Sequence, residues 1–324
     1  MNSTGCRVAV TGAAGFVGRW LCGSLREEGI CVRSIYRDRP CENAHQFCVG
    51  NIGPETDWSL ALTGIDTVVH LAAVAHIPAG NTRDAEKLMY PTNVLGTDRL
   101  AREAVRLGVR RLIFLSTVGV FGENTEDREP FGVLDEVNPK GPYSISKLEA
   151  EKRLWEISAK HGLEVTILRA PLVYGPDAPG NFSRLLALVR RGVPLPFGSV
   201  RNLRSFVSIG NLANLIHRCI TDIRAAGRTF LVSDDEDVST RALICQLALV
   251  LDRPARLVPV PVRWLRLAAK GVRRSSFVDK LVSSFQVDIS ETKQVLGWYP
   301  PGTIEEELRR AVVIPSSGHS HHGN

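Results

Sequence analysis

Residues 8–21 read VAVTGAAGFVGRWL. A short β-type run, residues 7–11, leads straight into Gly12, Gly15 and Gly18, and the apolar positions that follow recur at helical spacing. Strand, glycine turn and helix in that order form a cradle for a pyrophosphate. One glycine permits the tight turn, a second lets backbone approach the ligand, and the third packs helix against strand. The helix N-terminus supplies partial positive charge. Three spaced glycines are weak evidence alone; the strand before them and the helix after them are the confirming context.

Working outward, a second β-like run covers residues 31–36 and continues as CVRSIYRDR. Its end is where such folds read the adenosine ribose: an acidic residue suits NAD, an arginine a 2′-phosphate. Tyr36 stands at that end, followed by Arg37 and Arg39, with Asp38 late by a residue or two. This favours NADP(H), with NAD(H) the alternative if Asp38 takes the ribose. Further strand patterns cover 67–71, 111–116 and 164–169; helical patterns cover 15–28, 85–107 and 143–161. Strands alternating with helices through right-handed crossovers give an α/β fold, a Rossmann-type doubly wound parallel sheet. After Pro171 the rhythm breaks into Pro- and Gly-rich segments with short helical pieces at 211–221, 240–251, 263–271 and 304–313. The expected organisation is a dinucleotide-binding domain over 1–170 and a smaller, mixed C-terminal substrate lobe over 171–315, with some segments returning to the core. A disordered polar tail over 316–324 completes it.

Bulk properties narrow the function. The chain has 324 residues, 44% hydrophobic and 23% charged, ordinary values for a globular protein. No apolar run approaches the roughly 20 residues of a membrane span, and no secretory signal pattern opens the chain, so a cytoplasmic enzyme is expected. The seven cysteines are scattered, without a CxxC pair, and suit a reduced compartment better than a disulfide or zinc framework; no metal site is expected. Cys6, Cys31 and Cys219 lie in apolar contexts. The net charge of +6 fits phosphate-bearing ligands, and no basic run with interleaved aromatics points to nucleic acid. The basic stretch 262–285 reads as a lobe helix with a solvated basic face rather than a membrane-surface helix.

Chemistry enters with GPYSISKLEAE, residues 141–151. Tyr143 and Lys147 are four apart and share a helix face. A free tyrosine is a poor base at neutral pH, its pKa lying near 10. A neighbouring ammonium stabilises the phenolate and lowers that value. The preceding strand RLIFLST delivers Ser116 and Thr117 at its C-terminal end, where ligands bind in open α/β sheets. A hydroxyl there can bond the substrate oxygen whose proton Tyr143 moves.

Several motifs now stand in one order: TGAAGFVG (11–18), HLAA (70–73), NVLGT (93–97), LSTVGVFG (115–122), YSISK (143–147), LRAPLVYGP (168–176), RSFVSIGNL (204–212) and LGWYPP (296–301). Together they resemble the extended short-chain dehydrogenase/reductases of the nucleotide-sugar epimerase, dehydratase and reductase group, over residues 6–313. The resemblance implies a cofactor held by Gly12, Ala14, Gly15, Phe16, Val17 and Gly18. Tyr36 and Arg37 would stand at its ribose, and Asn51 and Ile52 at its adenine. Leu71, Ala72, Ala73 and Asn93 would line it, and Pro171 and Val173 would pass its nicotinamide. Thr117, rather than Ser116, aligns with the catalytic hydroxyl, Tyr143 with the acid/base, and Lys147 with the group on the nicotinamide ribose. His76, Thr117, Asn181, Leu195 and Arg204 match substrate-contacting positions, Asn181 and Arg204 at the diphosphate. A homodimer through the helices at 85–107 and 143–161 is implied as well.

The sequence departs from that pattern at three places. Asn51 replaces a usual Asp, Tyr36–Arg37 replaces an acidic strand end, and the late Arg-x-x-Asp of UDP-glucose 4-epimerases is not seen in LVSSFQVD, residues 281–288. Val118 and Gly119 follow Thr117 where a dehydratase has an Asp-Glu pair. The expectation is therefore a nucleotide-sugar oxidoreductase acting at C4, reducing a UDP-4-keto-6-deoxy-hexosamine for surface polysaccharide. The first alternative is a UDP-glucose or UDP-N-acetylglucosamine 4-epimerase with tightly bound NAD, and a remote one is a non-catalytic dinucleotide-binding regulator.

Overall fold

A computed structural model describes residues 7–39, 41–75, 82–271 and 275–312; His76, Cys6 and the expected tail at 316–324 lie outside them. The strands are β1 (Arg7–Thr11), β2 (Cys31–Tyr36), β3 (Gln46–Cys48), β4 (Thr67–His70), β5 (Arg111–Thr117), β6 (Glu164–Ala170), β7 (Leu172–Tyr174), β8 (Phe206–Ser208) and β9 (Arg228–Leu231). The helices of the first half are α1 (Phe16–Glu27), α2 (Ser59–Leu62), α3 (Thr82–Tyr90), α4 (Gly96–Arg106) and α5 (Pro142–His161). Those of the second are α6 (Asn181–Arg190), α7 (Ile209–Thr221), α8 (Thr240–Val250), α9 (Val262–Gly271), α10 (Ser275–Val282), α11 (Ser290–Leu296) and α12 (Ile304–Val312).

Seven strands form one sheet in the order β3-β2-β1-β4-β5-β6-β9, every pair parallel. Alternation along each central strand builds two cores. Val8 and Val10 of β1, Val69 of β4, Ile113 of β5 and Leu168 of β6 face the α1–α7 side. Ala9, Val68, Leu112, Phe114, Val165 and Ile167 face the α2, α4 and α5 side. Strands covered on both faces need apolar residues at successive positions, which is why these runs read as continuous. The chain order reverses between β1 and β4, and open sheets of this kind bind ligands at the strand C-termini beside such a switch.

A third core, including Tyr174, Phe182, Leu185, Leu195, Phe206, Leu243 and Leu308, belongs to the C-terminal part. There β7 and β8 pair in a separate ribbon, while β9 returns to the edge of the main sheet beside β6. The inner face of α9, Val262 and Leu265, packs on this third core. Its Arg266 pairs with Glu126 at 2.8 Å and Asp279 at 3.5 Å.

Two expectations change. The helix at 85–107 is interrupted by a π-turn at Pro91–Leu95, because Pro91 has no N–H for the regular helical ladder. Cys31 is exposed, standing at the outer end of a strand that buries Val32 and Ser34 beside it, whereas Cys219 and Cys22 are buried. Among the described residues there is no disulfide, no His/Cys/Asp/Glu cluster able to hold a metal, and no helix long and apolar enough to cross a membrane.

Candidate active site

The glycine turn lies against the chain that leaves β4. Gly12 has φ +67°, and a Cβ there would stand 2.9 Å from the Ala72 nitrogen; a Cβ on Gly18 would stand 2.2 Å from the Gly12 carbonyl oxygen. Neither position has room for a side chain. Gly15 is exposed and precedes α1 without any side-chain cap, and no acidic residue occupies the first turn. Uncapped first-turn N–H groups beside a side-chain-free backbone suit a pyrophosphate, so the residues present fit a dinucleotide.

Beneath this turn runs a buried polar chain. Thr11 Oγ1 accepts from the N–H groups of Leu71 (3.2 Å) and Ala72 (3.3 Å) and donates to His70 Nδ1 (2.7 Å). Thr97 donates to the Asn93 carbonyl (2.7 Å), so His70 Nε2–H must donate to Thr97 Oγ1 (3.0 Å). His70 is therefore the neutral Nε2–H tautomer. Burial, then the charge of Lys147, pulls its pKa down to about 3. Asn93, inside the π-turn, accepts from Val74 N–H (2.8 Å) and donates to Val74 C=O and Ser146 Oγ (3.0 Å each). Its carboxamide thus ties the 72–74 loop to α5, one residue before Lys147. Ile52 meets the start of α4, lying 2.5 Å from a Cβ built on Gly96.

The catalytic candidates come from two elements that meet. Thr117 ends β5, and its Oγ1 accepts from Gly119 N–H at 3.1 Å. A Cβ on Gly119 would lie 2.6 Å from Ser144 Oγ and 3.4 Å from Thr117 Oγ1. The start of α5 is thus pressed against the end of β5, with Tyr143 next to Ser144. Ser116, on the opposite strand face, donates to the buried Glu151 instead, which separates its role from that of Thr117. Burial pushes the Tyr143 phenol up to about 12 and pulls Lys147 down to about 7, with Glu151 opposing the second shift. Lys147 Nζ stands 3.8 Å from the centre of the Phe114 ring.

The remaining candidates lie on other elements. A Cβ on Gly175 would stand 3.5 Å from Phe16 Cζ, so the turn that follows β7 meets the start of α1. At the ribose end Arg37 pairs with Asp38 at 3.1 Å, both exposed, and the Arg39 guanidinium lies 5.9 Å from the Tyr36 ring centre. Asn51 offers its carbonyl to Thr56 (3.2 Å) and leaves its side chain exposed. Asn181 opens α6 after Gly180. Arg204 donates to the Ser283 carbonyl at 2.9 Å, and burial pulls its pKa down to about 10. Arg266 reaches the same serine at 3.1 Å, so two arginines converge where the expected late arginine is absent. The Leu195 side chain belongs to the third core, and its backbone bonds Arg256 and Val258. Sequence reasoning passed over Thr11, His70 as a neutral link, Glu151 and Phe114. Only Glu151 carried a readable signal, one turn after Lys147.

Comparison with known proteins bears on this geometry. Residues 8–233 match the model of the NAD dependent epimerase/dehydratase family. The chain belongs to that family. It is 41% identical to UDP-glucose 4-epimerase of Vibrio cholerae over 94% of this chain and 93% of that one. UDP-glucuronic acid 4-epimerase of Bacillus cereus in complex with NAD superposes with a TM-score of 0.76 at 22% identity, covering 94% and 95% of the two chains. RMD of Pseudomonas aeruginosa complexed with NADPH gives 0.73 at 22%, covering 94% and 97%. This epimerase/dehydratase family member is an NAD(P)-dependent enzyme with the extended short-chain dehydrogenase/reductase fold.

Proposed function

We propose that the enzyme is a UDP-sugar 4-epimerase that keeps its cofactor through turnover, with Thr117, Tyr143 and Lys147 as its catalytic residues. The observation that carries this reading is the 41% identity, nearly end to end, to a protein named UDP-glucose 4-epimerase. It favours the alternative from the sequence over the 4-ketoreductase. The missing late arginine counts less against it, since Arg204 and Arg266 already meet at Ser283.

A nicotinamide dinucleotide held at the glycine turn would supply the hydride acceptor and donor for C4. The chain handles the proton. Tyr143 accepts it from the C4 hydroxyl as the 4-keto sugar forms, and gives it back once the keto sugar has turned its other face. Thr117 Oγ1 bonds the C4 oxygen in both directions. Lys147 supplies the positive charge that brings the phenol down from about 12 toward working pH. The Gly12–Gly18 turn and α1 hold the pyrophosphate, Ala72 and Ala73 the ribose side, and Asn181 and Arg204 the substrate diphosphate. NAD(H) goes with this reading, Asp38 turning from Arg37 to the ribose hydroxyls. Residues 171–312 act mainly as the substrate lobe, and a homodimer forms through α3, α4 and α5.

Purified enzyme given UDP-glucose or UDP-N-acetylglucosamine should produce the C4 epimer without net change in nicotinamide absorbance. Stoichiometric NADPH loss with a UDP-4-keto sugar, and no epimer, would return the assignment to the ketoreductase.

A further inference from the structure

Lys147 can assist Tyr143 only while it carries a proton, yet it is buried among groups that mostly discourage one. Its ammonium faces the Phe114 ring at 3.8 Å, inside the range of an attractive cation–π contact. Phe114 cannot tilt away freely, because its other neighbour is the His70 ring, stacked at 5.7 Å and 24°. One turn further along α5 stands Glu151, 1% exposed. Its carboxylate accepts from Ser116 Oγ and from Arg169 Nη2 at 2.7 Å and Nε at 3.3 Å. Arg169 in turn lies over Phe121 at 4.9 Å.

We infer that Glu151 and Phe114 are positioning residues that hold Lys147 as an ammonium, one helical turn along α5 from Tyr143, with Ser116 and Arg169 fixing Glu151 in place. The inference rests on the catalytic reading of Tyr143 and Lys147. A buried Arg–Glu pair contributes little to stability compared with apolar packing, so stability alone does not account for a carboxylate here. Among the described residues, the charged and titratable groups nearest Lys147 are Tyr143 and Glu151 on α5, His70 on β4 and Arg169 on β6. His70 is neutral by its hydrogen bonding, and Arg169 is bound to Glu151. That leaves Glu151 as the group whose charge favours a protonated Lys147, opposing the burial that pulls it to about 7.

The test is a spectroscopic titration of Tyr143 with a pH profile beside it. Tyrosinate difference absorbance, wild type minus Tyr143→Phe, isolates one transition. Glu151→Gln should raise its midpoint by about 1 pH unit and narrow the kcat profile while KM for the UDP-sugar stays constant. Phe114→Leu should act in the same direction and Phe114→Tyr should restore the wild-type midpoint. Glu151→Gln with Arg169→Met leaves no orphaned charge, so it keeps the fold should the single variant lose it, and it should show the same shift. Unmoved midpoints in folded variants, or a double variant restored to the wild-type midpoint, would overturn the inference alone. A wild type with no Tyr143-dependent transition would overturn the catalytic reading beneath it.

Discussion

As the proposed acid/base, Tyr143 would need charge brought to it, since burial by itself takes the phenol the wrong way. Tyr143→Phe should lower epimerisation by roughly 10²–10⁴-fold, the usual worth of a positioned acid/base, while the melting temperature and cofactor affinity hold. Equal losses of turnover and cofactor binding would give it a structural role instead. The glycines answer to space rather than charge. Gly18→Ala would drive a methyl to 2.2 Å from the Gly12 carbonyl, where backbone must shift. NAD affinity measured by calorimetry should fall at least tenfold, whereas Gly23→Ala, with open space around it, should leave it intact. These residues were legible because their chemistry depends on local spacing: a turn, a strand end, and two side chains one helical turn apart. Phe114 and His70 were not, because strand alternation marks both only as interior. Their roles arise from what the fold stacks on them.

At the scale of elements, the boundaries of β1 and β2 coincide with the apolar runs that announced them, since a turn ends each run abruptly. β3, β7, β8 and β9 are three or four residues long and owe their form to distant partners, as when Thr166–Arg169 of β6 aligns Arg228–Leu231. β4 is as short, yet its apolar run was read from the sequence, whereas these four were not. The π-turn is the element whose loss should be felt at a distance. Asn93→Ala leaves Val74 N–H and C=O without their partners and should cost about 1–3 kcal/mol per orphaned group. A lower melting temperature together with weaker NAD binding would follow. A second junction joins β7, β8 and α7, where Asp234 accepts from Ser208 N–H (2.9 Å) and Asn211 Nδ2 (2.7 Å), its other oxygen facing Tyr174. Burial raises its pKa to about 6, against roughly 3.9 unfolded. A raised carboxylate pKa makes the charged form costly in the fold. This group therefore adds stability as pH falls from about 6 toward 4 and subtracts it above. Asp234→Asn, which keeps both acceptor contacts, should flatten that slope and raise the melting temperature at pH 8; a lower value there would show the charge to be needed.

On the scale of the whole molecule, the helix pair expected to meet a second copy carries Leu88 and Tyr90 with 58% and 41% of their surface exposed. Exposed apolar groups on a layer otherwise bound by ion pairs, such as Asp98–Arg102 at 2.7 Å, suit a partner. Leu88→Glu with Tyr90→Glu should give a monomer by light scattering with its secondary structure retained; an unchanged mass would move the interface elsewhere. The expected division at residue 170 rests on a change of rhythm, with some segments returning to the core; that β9 would be one of them was not legible, because a four-residue strand leaves no trace of where it will pair. That return has a consequence for how such a chain can be recombined. Cutting after β6 would strip the sheet of its last strand and bare a row of backbone donors and acceptors. Exchange of specificity between relatives should therefore succeed when the crossovers fall on either side of β9, as two inserts carried by one inherited scaffold. It should fail, as insoluble protein, when the C-terminal half is transplanted as a block.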